Sequence, residues 1–391
     1  MNRIQAAKFL GRLITGPESP EDREQVNRRL RGAMPWELLV DVAGGNLITP
    51  ALHTALSSLD EYKNLPEDLR TYLAYIHRLN RSRDEDVQSQ VCEISRLFNQ
   101  IGVEPVLLKG AANLFLDIYR DPADRIMHDV DVLVPKEKLS ECTNILKENG
   151  YRGILKNFSF TEESPHFFIL VSRERPVGVE LHQYTLPKQY ATIYTDRDLA
   201  RESVRQSVAD AVFRLPSPPY HLLHHVCHAH KHWKVYGGPA QNSLRFAVDF
   251  TLLCRFYGDQ IDWIGIEKRF EAGKLRNALA AYLLATKELC GFGDPLARVG
   301  VSRAKERFLR GVFFLFRFHP VFGACKLFHE YRLSIKAMAA DPAERIDFLK
   351  KLNRKEFYAR QGQRLMGIFK KEHALKNLCD MDREGAEYGR D

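Results

Sequence analysis

The spacing of apolar residues changes along the chain and divides it into three regions. Residues 1–101 carry apolar positions at helical spacing almost throughout, including one long polar-rich helix from about Glu67 to Gln100. Residues 102–216 carry short apolar runs separated by turns, and from Pro218 onward the spacing is helical again. We therefore predict a helical N-terminal region (1–101), a central core of strands and helices (102–216) and a helical C-terminal region (217–391).

The central region predicts a mixed sheet rather than a doubly wound one, because several of its strands follow one another without an intervening helix. The fold class is therefore α+β, a sheet core flanked by helical regions. In chain order the predicted elements are a strand from Pro105 to Leu108, a helix from Gly110 to Tyr119, a strand over residues 129–134, a helix from Lys136 to Asn149, and strands that begin at Tyr151, Pro165, Val177 and Ala211.

Two aspartates stand in a strand that would otherwise bury only hydrocarbon. In the run from Asp129 to Val134, the period of two sends Asp129 and Asp131 to one face and the valines to the other. Like charges this close raise each other's pKa unless a hard cation neutralises them. The pair therefore predicts a site for Mg²⁺ or Mn²⁺, and the competing interpretation is an Asp-x-Asp run that merely begins a turn.

A third acid lies in the strand from Val177 to His182, where Glu180 and His182 share a face. If this strand is a neighbour of the aspartate strand, Glu180 converges with the two aspartates, as in two-metal phosphoryl-transfer sites. The competing interpretation is a solvated strand glutamate. His182 is either a phosphate contact or general base, or a core histidine held by hydrogen bonds.

A glycine turn precedes the acidic strand and fits phosphate binding. Gly110 lets the backbone approach a phosphate, and the helix that follows offers free N–H groups. Lys109 is either a point charge on a triphosphate or a strand-end lysine. Arg125, in the loop before Asp129, is either a planar cationic contact to phosphate oxygens or a surface arginine.

The helix predicted after Pro218 is rich in histidine. His221, His224, His225 and His228 share one stripe of this helix, and Cys227 lies beside them. Structural or substrate-facing histidines are the preferred interpretation, and a separate zinc site is the second.

Charge and composition narrow the class of protein. The chain has 391 residues, a formal net charge of +8 and a pI of about 9.0, which favours an anionic partner. Basic residues interleaved with aromatic ones between Lys350 and Lys371 are either a nucleic-acid contact or a solvated helix face. Seven scattered cysteines, no N-terminal signal and no apolar run long enough for a membrane span lead us to expect a reduced, cytoplasmic protein.

The segment from Val106 to about His182 resembles an uncharacterised bacterial nucleotidyltransferase family of the DNA polymerase β-like superfamily. The runs that carry the resemblance are LLKGAANLFLDIY, DPADRIMHDVDVLV and VGVELH, and flanking similarity extends it over most of residues 30–270. The resemblance implies that Gly110 is the turn glycine, that Asp129 and Asp131 are the paired metal ligands, and that Glu180 is the third acid. It also implies that the histidine-rich helix lies along a nucleotide cleft, where a histidine such as His228 contacts a phosphate or positions the acceptor. The chain departs from the broad superfamily pattern in having Lys109 before the glycine and Ala111 after it.

Together these observations predict a metal-dependent nucleotidyltransferase whose catalytic core is residues 102–216. It would move a nucleoside monophosphate from an NTP, such as ATP, to an unidentified hydroxyl acceptor and release pyrophosphate. Asp129, Asp131 and Glu180 would hold Mg²⁺ or Mn²⁺, and Glu180 or a metal-bound hydroxide would take the proton. The predicted nucleotide contacts are Lys109, Gly110, Arg125, His182 and His228.

Two alternatives remain open at this point. The first is a catalytically degenerate protein that binds a nucleotide or a partner, and the second is a nucleotidyltransferase directed at RNA. The acceptor is a small molecule, a protein or RNA, and the sequence predicts no oligomeric state.

Overall fold

The computed structural model of the chain describes residues 1–17, 19–153, 166–187, 190–236 and 243–315. The chain forms two compact units, one of residues 1–233 and 239–301 and the other of residues 234–238 and 302–391. In the second unit the described part contains a helix at Arg303–Leu315. The basic stretch between Lys350 and Lys371 lies outside the described residues.

Helices make up most of the described residues, above all in 1–101 and 218–315. They are α1 (Arg3–Thr15), α2 (Pro20–Leu30), α3 (Trp36–Gly45), α4 (Thr49–Ser57), α5 (Glu67–Gln100), α6 (Lys109–Asn113), α7 (Leu139–Glu148), α8 (Asp196–Arg201), α9 (Pro218–Tyr236), α10 (Ser243–Tyr257), α11 (Trp263–Ala272), α12 (Arg276–Cys290), α13 (Asp294–Arg298) and α14 (Arg303–Leu315). None of these helices has the length and apolar character needed to cross a bilayer.

A seven-stranded mixed sheet forms the centre of the first unit, which confirms the predicted α+β fold class. Its strands are β1 (Val106–Leu107), β2 (Asp129–Leu133), β3 (Arg152–Gly153), β4 (His166–Val171), β5 (Gly178–His182), β6 (Ser203–Val208) and β7 (Ala211–Pro216). Their spatial order is β3-β4-β5-β2-β1-β7-β6. The pairs β2–β5 and β1–β7 are parallel, and the other neighbours are antiparallel.

The long helix α5 packs into two hydrophobic cores. Its second half buries Val87, Val91, Ile94 and Phe98, spaced four, three and four residues apart, against the apolar face of the sheet. Its first turns bury Leu69 and Leu73 in a second core, which α1, α3, α4, α10 and α12 also share. The helix thereby ties the sheet to the helical layer that surrounds it.

The helix predicted from Gly110 to Tyr119 is too long. In the structure α6 ends at Asn113, and the chain continues through turns to a short 3₁₀ turn at Pro122–Asp124. The physical reason lies in the destinations of the apolar side chains. Leu114, Phe115 and Leu116 pack against the sheet core, whereas Tyr119 packs against the helical core. Consecutive side chains on a helix point about 100° apart, so Leu114, Phe115 and Leu116 would not all face the sheet core from a helix.

The edge strand β6 was not predicted, because all of its residues after Ser203 are exposed and it shows no apolar alternation. It is specified by its antiparallel pairing with β7, in which Ser203 pairs with Pro216 and Val208 with Ala211. Within the described residues, Cys92, Cys142, Cys227, Cys254 and Cys290 lie outside any disulfide.

Candidate active site

The two acidic strands are direct neighbours in the sheet. β2 and β5 run parallel in a register that pairs Asp131 with Glu180, and the same register pairs Leu133 with His182. Val130 and Val132 of β2 and Val179 and Leu181 of β5 alternate with these acids, point to the opposite face and join the sheet core. The condition on which the predicted convergence depended, that these strands are adjacent, is therefore met.

The closest group at this point combines two carboxylates with an imidazole. One ligand atom each of Asp131, Glu180 and His182 lie within 4.8 Å of one another. His182 Nε2 is 2.7 Å from Asp131 Oδ1 and 3.8 Å from Glu180 Oε2, and its Nδ1 is 3.3 Å from the backbone oxygen of Tyr184. Asp129 is not a member of this group, although it borders the same cavity.

Lys109 places its ammonium group directly on the acids. Its Nζ lies 2.5 Å from Asp131 Oδ1, and it is also attracted electrostatically by Asp129 and Glu180. Burial lowers the pKa of Lys109, but the surrounding carboxylates raise it by more, so the net pKa lies above the ordinary value. Lys109 also has a φ of 49°, a left-handed conformation that is uncommon for a non-glycine residue and concentrates at functional sites.

The pKa values of the two aspartates of β2 are shifted in opposite directions. Burial raises the pKa of Asp131, but the charge of Lys109 and the hydrogen bond from His182 outweigh it, and the net pKa is well below the ordinary value. The neighbouring charge of Asp131, followed by burial, raises the pKa of Asp129 to about 7. Asp131 therefore loses its charge less readily than Asp129 does.

Gly110 is required by the close approach of an arginine. A Cβ atom at this position would collide with the guanidinium of Arg125 and would lie 3.0 Å from the sulfur of Met127. Arg125 in turn bonds through Nε and Nη2 to Asp249 Oδ2, both at 3.3 Å, and Tyr119 donates its hydroxyl to Asp249 Oδ1. Asp249 therefore pairs with Arg125 rather than with Arg245, the partner four residues earlier on the same helix.

The histidines of α9 are held largely by tyrosines from other elements. His221 Nδ1 lies 2.9 Å from the Tyr257 hydroxyl, and His224 Nδ1 lies 2.7 Å from that of Tyr194. His225 is 2.9 Å from the Tyr282 hydroxyl. Among the described residues, the group suited to a metal contains none of these histidines. These contacts fit the structural interpretation of the histidine stripe, and the zinc site stays an untested alternative.

One cavity of about 310 Å³ brings the predicted residues together. His182 is buried and does not line this cavity. The other predicted site residues line it: Lys109, Gly110, Arg125, Asp129, Asp131, Glu180 and His228. The cavity wall opposite the sheet comes from α9 and α10, including His224, Lys231 and Arg245. These residues meet the acids only through tertiary packing, so sequence spacing alone did not assign Arg245 to the site.

Comparison with known proteins assigns the family. The family model described as uncharacterised nucleotidyltransferase matches residues 32–291, which is more than half of the chain and includes every residue that borders the cavity. No curated protein sequence matches the chain. The chain therefore belongs to this family of uncharacterised nucleotidyltransferases.

Proposed function

We propose that the protein transfers a nucleoside monophosphate from an NTP to a hydroxyl acceptor, with Mg²⁺ or Mn²⁺ as the metal. The observation that carries the proposal is the pairing of Asp131 with Glu180 across parallel strands, beside Lys109 and the Gly110 turn. The family match supports the reaction class. Membership of the DNA polymerase β-like superfamily and a bacterial origin stay predictions.

The residues present fit a divalent cation. Carboxylate oxygens are the ligands that Mg²⁺ and Mn²⁺ prefer, and Asp131 and Glu180 supply them within the 4.8 Å group. The ammonium of Lys109, bonded to Asp131, stands where positive charge is attracted by three acids. Asp131 and Glu180 would hold one ion, and Asp129 with Asp131 would hold a second. Bound there, metal ions polarise phosphoryl oxygens and offset the charge that develops in the transition state.

The nucleotide would lie between the acids and the helical wall. Four basic residues (Lys109, Arg125, Lys231 and Arg245) and four carboxylates (Asp129, Asp131, Glu180 and Asp249) border the cavity, so their formal charges cancel. Divalent cations would then make the cavity positive, which suits a triphosphate. Lys109 would move from Asp131 to the phosphates when a metal binds, while Gly110, Arg125 and His228 border the phosphate path.

In the reaction, the acceptor oxygen attacks the α-phosphorus and the bond to the bridging oxygen of pyrophosphate breaks. Glu180 accepts the acceptor's proton, because its side chain borders the cavity and is less buried than Asp131. His182 is a positioning residue. Through its contacts with Asp131 and the Tyr184 backbone, it fixes the orientation of the Asp131 carboxylate.

The test is nucleotide transfer by the wild-type protein and by Asp131→Asn. Each of the four α-labelled NTPs is incubated with Mg²⁺ and fractionated cell extract, and the label on extract components and the released pyrophosphate are measured. We expect transfer from at least one NTP and a loss on the order of 10²-fold or more in Asp131→Asn, since metal assistance is worth several kcal/mol.

Asp60→Asn, which neutralises an exposed acid, is the matched control and should transfer at the wild-type rate. Equal label transfer by wild type and Asp131→Asn would contradict the proposal. Triphosphate binding without transfer to any fraction would instead favour the catalytically degenerate alternative. The class of the labelled fraction, whether small molecule, protein or RNA, would identify the acceptor.

A further inference from the structure

Arg245 borders the cavity from the helical side and has one polar atom without a hydrogen-bond partner among the described residues. Its Nε is buried and has no hydrogen-bond partner among the described residues. Within the same part of the chain it forms no ion pair, and its Cζ lies 5.8 Å from the centre of the Phe246 ring. A buried guanidinium without an acidic partner is costly, since charges are normally buried only when paired.

The surroundings of Arg245 make this cost larger. Burial and the neighbouring charge of Arg125 both lower the pKa of Arg245. Arg125 is itself compensated by Asp249, so that acid is already engaged. His128 also borders the cavity, and burial together with the charges of Arg245, Arg83 and Arg125 lowers its pKa. At this end of the cavity Asp249 is thus already paired with Arg125, and Asp129, the other carboxylate that acts on Arg245, forms no ion pair with it within the described residues.

The charged groups near Arg245 show which end of the cavity it occupies. Arg245 interacts with Asp129 and Asp249, whereas Lys231 interacts with Lys109, Glu180 and Asp131. The two cations thus lie toward different ends of the acid row. Arg245 stands at the Asp129 end, and Lys231 stands at the end where Asp131, Glu180 and His182 meet.

We propose that Arg245 binds the terminal phosphates of the nucleoside triphosphate, the part that leaves as pyrophosphate. The proposal rests on the proposed function, which puts the α-phosphate beside Asp131 and Glu180, so that the rest of the triphosphate extends toward Asp129 and Arg245. A guanidinium presents a planar fork of donors that matches phosphate oxygens. Helix α10 would then recognise the length of the phosphate chain from outside the sheet.

The experiment uses inorganic tripolyphosphate as the probe, titrated with and without Mg²⁺ into the full-length protein. We compare wild type, Arg245→Gln, Arg245→Lys and Lys268→Gln; Lys268 is an exposed cation on α11 and controls for net charge. We expect Arg245→Gln to weaken tripolyphosphate binding about 10- to 100-fold, as for loss of a charge-assisted hydrogen bond. Arg245→Lys should be intermediate, and Lys268→Gln should bind as wild type does. AMP, which lacks the terminal phosphates, should distinguish none of the variants.

Thermal unfolding gives a second readout that a structural arginine would not reproduce. Without ligand, Arg245→Gln should melt at the wild-type temperature or higher, because it removes an unpaired buried charge. Tripolyphosphate should raise the melting temperature of wild type and not that of Arg245→Gln. Equal tripolyphosphate affinity in wild type and Arg245→Gln would overturn the proposal, and so would a wild-type protein that does not bind the probe.

The two proposals fail in different ways. If tripolyphosphate binds through Arg245 but no nucleotide is transferred to any acceptor, the phosphate site stands and the proposed function fails. If nucleotide is transferred and Arg245→Gln binds NTP and tripolyphosphate as wild type does, the proposed function stands and the role of Arg245 fails.

Discussion

Replacement of Asp249 by asparagine tests the contact that joins α10 to the loop before β2. Asp249 is 2% exposed, and the side chain of its partner Arg125 is 14% exposed. At 3.3 Å and an effective dielectric constant of about 20, the attraction between the two charges is about 5 kcal/mol. Asp249→Asn removes this attraction and leaves the buried Arg125 beside Arg245 without its acid. We expect the free energy of unfolding to fall by about 3–5 kcal/mol.

A double-mutant cycle separates the ion pair from other effects of the substitution. Asp249→Asn, Arg125→Gln and the double variant are unfolded in urea, and their free energies of unfolding are compared with that of wild type. Because each single variant already breaks the pair, the double variant should cost about 3 kcal/mol less than the sum of the single ones. Glu267→Gln breaks an exposed pair with Arg276 and should cost less than about 1 kcal/mol. If the losses in the free energy of unfolding were additive in the cycle, the two side chains would not be coupled and the ion pair would not stabilise the fold.

Three further predictions concern other parts of the same unit. Gly110→Ala should displace Arg125 and lower both nucleotide affinity and the free energy of unfolding, the latter by about 1–3 kcal/mol; an unchanged urea midpoint would contradict the close approach. Burial raises the pKa of Asp84 to about 7, against the opposing charge of Arg83. The folded state therefore binds a proton more tightly than the unfolded state, and the stability from Asp84 is present below about pH 4 and lost as the pH rises toward 7. Asp84→Asn should match wild type at pH 4 and exceed its free energy of unfolding at pH 8 by up to about 4 kcal/mol; a constant difference in urea unfolding at both pH values would rule out this titration. Phe98→Ala, at a fully buried position of the sheet core, should cost about 3–5 kcal/mol, and a loss below 1 kcal/mol would mean that the core is not packed there.

The sequence predicted those elements whose residues carry their own local signal. Helix α5 is one, because its apolar spacing persists from its first turns to Gln100. Strands β2 and β5 are others, because each alternates buried apolar residues with polar ones. The proposed metal ligands Asp131 and Glu180 followed from the same alternation, although their assignment as ligands stays a prediction.

Features that depend on distant partners could not be read in the same way. The pairing of Asp249 with Arg125 spans 124 positions, so no local pattern in the sequence indicates it. The early end of α6 depends on the sheet core, which forms only in the folded chain. His182 was found on the face of Glu180, but its direct contact with Asp131 depends on the register of two strands. The division of the chain into three regions stays a prediction.

The presence of α5 in both hydrophobic cores has a consequence for how the first unit melts. One 34-residue helix supplies Leu69 and Leu73 to the helical core, and Val91 and Phe98 to the sheet core. Loss of either core removes packing partners from the same helix, so the two should denature in a single cooperative transition. Amide hydrogens in both halves of α5 should then exchange with solvent at similar, global rates. An enzyme assembled in this way keeps its cleft only while its helical layer is intact.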